Sequence, residues 1–129
     1  MDFSHVEVHN ASYGIRTDSS FLSDPSISVT TAISQSEFFS FANAAVNAFS
    51  TAGTGTTNAV FNAVRILNAN VAIKANGPQL TVILTNSTVS GNGIGVQTFN
   101  GGAVYTPRSS TISGNGTDLS GSLTRAPPR

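Results

Sequence analysis

One pattern of apolar and polar positions recurs five times along the chain, in words of eight residues. The first and last positions of every word are apolar, and the start-to-start spacings are 31, 27, 23 and 23 residues. The words are VHNASYGI (Val8–Ile15), FSFANAAV (Phe39–Val46), ILNANVAI (Ile66–Ile73), VSGNGIGV (Val89–Val96) and ISGNGTDL (Ile112–Leu119). Such spacing is typical of a solenoid, in which each coil buries its apolar positions only against another coil.

A second apolar segment precedes every word after the first, so each coil is predicted to contain two short strands. These segments are Ile27–Ile33, Asn58–Val64, Leu80–Leu84 and Gly102–Tyr105. Stacking the words predicts two interior columns of side chains. The first is Val8, Phe39, Ile66, Val89 and Ile112, and the second is Ile15, Val46, Ile73, Val96 and Leu119.

Turn residues predict where the coils have corners. Gly77, Gly101 and Gly102 lie at or just before the start of the apolar segments that precede the words, where a corner is needed. Four words have an asparagine at their third or fourth position, and we interpret these asparagines as turn residues whose amides bond the backbone. They are Asn10, Asn68, Asn92 and Asn115.

Two segments also fit a helix. Apolar residues follow a period near 3.6 in Glu37–Phe49, and Asn58–Ile73 contains no helix breaker. The aligned positions of the last two words are rich in glycine, which is a poor helix former. Because aligned positions of a repeat share one conformation, strands are favoured, and an α+β domain with a helical middle is the alternative.

We therefore predict an all-β parallel β-helix, a solenoid of about five coils over residues 1–123, followed by a polar tail over residues 124–129. A chain of 129 residues has room for one ordinary domain. Zero formal net charge and 9% charged residues argue against a nucleic-acid partner. The apolar stretches are too short for membrane insertion.

The segments Asn86–Tyr105 and Ser109–Leu123 resemble coils of bacterial right-handed parallel β-helix repeat proteins. The resemblance covers nearly the whole chain and implies that the parallel β-helix is right-handed. It is specific for the fold rather than for an activity. The pectate-lyase-like superfold to which such coils belong includes pectate lyases, polygalacturonases, alginate epimerases and phage tailspikes. The resemblance implies a non-catalytic module, structural or binding to polysaccharide or protein, and secreted or at the cell surface if part of a longer bacterial protein. The alternative is a polysaccharide lyase, epimerase or hydrolase.

Catalysis on a polysaccharide requires clustered carboxylates, which the sequence does not show. Glu7 and Glu37 lie one and two residues before their words, so they approach across one coil without a third acid. On one strand His5 and His9 would lie roughly 13 Å apart, too far to share a metal ion. We therefore predict no catalytic residues, no metal site and no cofactor.

The candidate binding residues directly follow the last apolar position of each word. They are Arg16, Asn47, Lys74 and Gln97, and Ser120 continues the column. Coils stack about 4.8 Å apart, so Arg16 and Lys74 should lie roughly 10 Å apart on one face. Such a row suits an acidic or hydroxyl-rich sugar chain, and a solvated polar column without a ligand is the alternative.

Three phenylalanines, Phe38 directly before the second word and Phe39 and Phe41 within it, cannot all face inward on a strand. Alternation predicts that Phe39 and Phe41 share one face and that Phe38 takes the other. An exposed ring would suit stacking on a sugar, and packing against a loop or a partner is the alternative.

The two ends of the predicted stack differ. No polar cap precedes the first word, whereas Asp118 interrupts the small-residue position of the last word, and the proline-rich tail cannot extend a sheet. Open strand edges recruit further strands, so we expect the N-terminal coil to be covered either by upstream coils of a longer protein or by self-association with a second copy.

Overall fold

The computed structural model describes residues 2–19, 27–51, 55–106 and 110–121, and within them all regular structure is β-strand. The predicted tail, residues 124–129, lies outside the described residues. The strands are β1 (Asp2–Ser4), β2 (Glu7–Asp18), β3 (Ser28–Ser34), β4 (Glu37–Phe49), β5 (Thr56–Asn62), β6 (Arg65–Asn76), β7 (Leu80–Thr85), β8 (Thr88–Ser90), β9 (Ile94–Phe99), β10 (Ala103–Tyr105), β11 (Thr111–Ile112) and β12 (Thr117–Ser120).

These strands form a parallel β-solenoid of about four turns, which confirms the predicted fold class. The first sheet has the order β1-β3-β5-β7-β10, and the second has the order β11-β8-β6-β4-β2, with β9 pairing β6 and β12 pairing β9. Each sheet therefore contains a strand from five successive rungs of the stack. The helical alternative is wrong, because Glu37–Phe49 and most of Asn58–Ile73 are strand.

The second sheet is divided by a corner into two arms. β6 pairs with β8 through Arg65–Leu67 and with β9 through Val71–Asn76. We call these two stretches, with their partners on the other rungs, the first arm and the second arm. Between the arms Asn10, Ser40, Asn68, Gly91 and Gly114 all have positive φ, which turns the backbone through the corner. Asn10 and Asn68 are thus confirmed as turn residues, but their side-chain amides contact the side chains of His9 and Ser40 and not, as predicted, the backbone.

The second predicted column forms in register, with Val46, Ile73 and Val96 buried, but Ile15 is half-buried and Leu119, on the last described rung, is 39% exposed. The first column was predicted wrongly at one rung. Ile15, Val46, Ile73, Val96 and Leu119 are register partners along the stack. At the first column, however, Val8 pairs with Phe38 and not with Phe39, and Phe38 pairs with Ile66. Phe38 is 0% exposed, whereas Phe39 faces outward and is half-buried.

A β-bulge in β4 explains this error. Phe41 pairs with Ala69 and Ala44 with Val71, so Ala42 and Asn43 together oppose the single residue Asn70. The extra residue displaces the first half of β4 by one position relative to an alignment without gaps. The predicted orientation of the phenylalanines in this strand is also wrong. Phe38 and Phe41 both point into the core, with ring centroids 6.4 Å apart.

A second corner precedes each strand of the first arm. His5, Gln35, Ala63 and Asn86 have positive φ there. Consequently the predicted strand Asn58–Val64 ends earlier, at Asn62. Buried serines follow this corner and satisfy its backbone: Ser87 Oγ accepts from the Val64 amide at 3.0 Å and donates to the Thr85 carbonyl at 2.7 Å. No buried side-chain nitrogen or oxygen lacks a hydrogen-bond partner in the described parts of the chain.

Candidate functional site

The candidate binding residues lie side by side in one outward column of the second arm. Arg16 pairs in register with Asn47, Asn47 with Lys74, and Lys74 with Gln97. Each alternates with inward-facing neighbours, as in β4, where Val46 and Ala48 are both 0% exposed. We call Arg16, Asn47, Lys74 and Gln97 the polar row. One intervening rung places Arg16 and Lys74 roughly 10 Å apart along the stack.

Both cations of the polar row contact a neighbour: Arg16 contacts Asp18, two residues further along the same strand, and Lys74 contacts Phe99 on the next rung. Arg16 Nη2 lies 3.5 Å from Asp18 Oδ2, and the Arg16 side chain is 60% exposed. Lys74 Nζ lies 5.5 Å from the centroid of the Phe99 ring, a cation–π distance. The guanidinium and the ammonium therefore stay at the surface, where they can meet an anionic ligand.

A second outward column, which the sequence interpretation missed, runs beside the polar row. Asp18 pairs with Phe49, Phe49 with Asn76, and Asn76 with Phe99. The Phe49 and Phe99 rings are both half-buried and stand two rungs apart. The signal was present in the sequence, because these residues follow the polar row at the two-residue period of a strand. We call this column the aromatic row.

A small notch of about 70 Å³ adjoins the polar row. Tyr13, Asn43, Asn70 and Lys74 contribute to its walls. Asn43 lies within the β4 bulge and donates a hydrogen bond to Ser12 Oγ at 2.5 Å. The notch offers phenol, amide and ammonium groups within one concavity, which suits a hydroxyl or carboxylate substituent of a larger ligand.

The first arm contains Glu7 and Glu37, the two glutamates that were predicted to approach each other across one coil. Glu7 and Glu37 are direct register partners, each one residue before its interior residue, so the predicted offset between them is wrong. The third rung holds Arg65, whose Nη1 donates to Glu37 Oε1 at 2.7 Å. An open groove of about 410 Å³ lies here, lined in part by His5, Glu7, Glu37 and Arg65.

The histidines are arranged differently from the prediction. His5 is a corner residue with a φ of 57°, so it does not share a strand with His9. His9 stacks flat on Phe39, with centroids 4.7 Å apart and an interplanar angle of 0°. Within the described ranges no three His, Cys, Asp or Glu residues are grouped closely enough to hold a metal ion.

The fold and its outward columns define the chain as a parallel β-solenoid protein. Comparison with protein-family models, with curated proteins and with solved structures finds no match. None of the residues that the structure describes forms a helix with the length and hydrophobicity of a membrane span.

Proposed function

We propose that the chain is a non-catalytic module that binds a linear acidic polysaccharide along the second arm of its second sheet. The observation that carries this proposal is the polar row, in which two cations alternate with two amides on four successive rungs. A linear ligand that lies along the stack axis contacts one polar side chain of this row at each rung. Cations bind its carboxylates, and the amides bind its hydroxyl groups.

The aromatic row supports a sugar ligand over a simple anion. Phe49 lies in the rung of Asn47, and Phe99 lies in the rung of Gln97. Aromatic rings beside polar groups supply the combination of apolar contact and directed hydrogen bonds that ligand sites require. The pectate-lyase-like resemblance of the coils favours the same class of ligand, and it also suggests a bacterial origin.

Titration calorimetry with alginate and polygalacturonate oligosaccharides tests the proposal. We expect Lys74→Ser and Arg16→Ser each to weaken binding about tenfold, since a hydrogen bond to a charged group contributes about 1.5–3 kcal/mol and less when solvent-exposed. Arg65→Ser is the matched control, because it removes a cation from the other arm. Equal loss of affinity in all three variants, or no binding by the unaltered chain, would contradict the proposal.

A second candidate, catalysis on a polysaccharide by the first arm, is favoured by the pairing of Glu7 with Glu37. Two carboxylates flanking a sugar bond are the minimum for glycoside hydrolysis. Glu37 already binds Arg65, however, and Glu7 Oε1 lies 3.9 Å from His9 Nε2. Glu37 is thus engaged with Arg65, and in the described ranges no third acid joins the two glutamates, which makes binding the better supported function.

We therefore expect no turnover of polygalacturonate or alginate, with or without calcium. Ultraviolet absorbance of unsaturated products measures β-elimination, and a reducing-end assay measures hydrolysis. Turnover that disappears in the Glu7→Gln/Glu37→Gln double variant would establish the catalytic alternative instead.

A further inference from the structure

The dipeptide Asn-Gly, in which asparagine is chemically labile, occurs four times in the chain. The glycine amide nitrogen attacks the asparagine side-chain Cγ, a cyclic succinimide forms, and ammonia leaves. Water then opens the ring to aspartate or isoaspartate. Glycine favours this attack because no Cβ shields its nitrogen and its backbone is conformationally permissive. The four sites are Asn76-Gly77, Asn92-Gly93, Asn100-Gly101 and Asn115-Gly116.

Three of the four glycine amides are held by a hydrogen bond to a neighbouring rung. The acceptors are the Phe99 carbonyl for Gly77 at 3.2 Å, the Ala69 carbonyl for Gly93 at 2.9 Å and the Asn92 carbonyl for Gly116 at 2.8 Å. The side chains of Asn92 and Asn115 are bonded as well, each through Nδ2 to a backbone carbonyl. Attack at these sites requires the loss of such bonds, so it is slow in the folded chain.

Asn100-Gly101 differs from the other three sites. The two residues occupy a tight turn between β9 and β10, with φ of 55° and 88°, in which the Gly102 amide donates to the Phe99 carbonyl at 3.1 Å. Both residues are exposed, and the Gly101 amide donates to no acceptor within the described parts of the chain. Its nitrogen is therefore available for attack without the opening of a rung.

We propose that Asn100 is a site of spontaneous deamidation and that the carboxylate formed there weakens binding of the acidic polysaccharide; this second step rests on the proposed function. Asn100 directly follows Phe99 of the aromatic row, and its Nδ2 donates to Oδ1 of Asn76 in the same row at 2.9 Å. Phe99 is the ring over which Lys74 Nζ lies. Deamidation replaces a neutral amide near this cation by a negative charge, which repels the carboxylates of the ligand.

Mass spectrometry of the full chain, digested after incubation at mildly alkaline pH, measures the first step. In the folded chain we expect Asn100 to convert about tenfold faster or more than each of the other three asparagines, because their glycine amides are hydrogen-bonded. In urea the four rates should converge, since the bonds that distinguish the sites are lost. Equal rates in the folded chain, or faster conversion at another of the four sites, would overturn the proposal.

Asn100→Asp reproduces the product, and titration calorimetry with the same oligosaccharides measures the second step. Asn86→Asp is the matched control, because Asn86 is an exposed residue with positive φ at the corner before the first arm, and its Nδ2 likewise donates to an asparagine of the neighbouring rung, Asn62. At low salt we expect Asn100→Asp to weaken binding about threefold and Asn86→Asp to leave it unchanged, with the difference reduced by added salt. Equal affinities of the two variants would overturn the second step. If the unaltered chain binds neither oligosaccharide, the proposed function fails, and the mass analysis by itself decides the modification site.

Discussion

Replacing Phe38 with alanine should lower the free energy of unfolding by about 3–5 kcal/mol, because the ring is lost from a close-packed interior. Phe38 is 0% exposed and packs in the core beside Phe41. Phe39→Ala should cost only about 1 kcal/mol, the usual contribution of an exposed aromatic pair, because its ring stacks on His9 outside the core. The two variants differ by one position in sequence and remove the same group.

Urea denaturation followed by circular dichroism measures both changes. Domains of this size have a total stability of about 5–15 kcal/mol, so Phe38→Leu serves as a milder variant if Phe38→Ala does not fold. The order of the two effects decides the register of β4. A larger loss for Phe39→Ala than for Phe38→Ala would mean that the gapless alignment of the five words is right and that β4 contains no bulge.

The fold was predictable because the repeated apolar positions indicate which side chains pack against each other in the interior. Apolar positions such as Ile66 and Ile73 recur at the same place in each word, and a short coil buries them only against another coil. The one-residue error at the second rung has a physical origin. Either Phe38 or Phe39 gives an apolar first position, so the pattern alone does not reveal the extra residue that β4 accommodates at Ala42 and Asn43.

The column of candidate site residues could be predicted because the register of the second arm was predicted correctly. Residues that directly follow an interior column must form a column themselves, and this rule placed Lys74 correctly beside Asn47 and Gln97. Side-chain partners do not follow from such a rule. The approach of Lys74 to the ring of Phe99, and of Arg65 to Glu37, depends on side-chain conformations that the periodicity leaves open.

Asn92 is the polar residue whose loss should destabilise the coil most. Asn92 is 4% exposed. Its side chain bonds three backbone groups at the corner between the arms. Asn92 Oδ1 accepts from the Ala69 amide at 2.8 Å, and Nδ2 donates to the carbonyls of Ile66 and Ser90 at 3.1 and 3.0 Å. The predicted role of this asparagine in bonding the backbone is therefore confirmed.

We expect Asn92→Ala to lower the free energy of unfolding by about 3 kcal/mol, since a buried backbone group left without its partner costs about 1–3 kcal/mol. Asn70→Ala, an exposed asparagine on β6, should change it by less than about 0.5 kcal/mol. Asn92→Asp separates the two halves of the amide: it keeps the acceptor for Ala69 and removes the donor to Ile66 and Ser90. Urea denaturation should therefore find Asn92→Asp destabilised as well, and equal stability of all three variants would show that the corner is held without this amide.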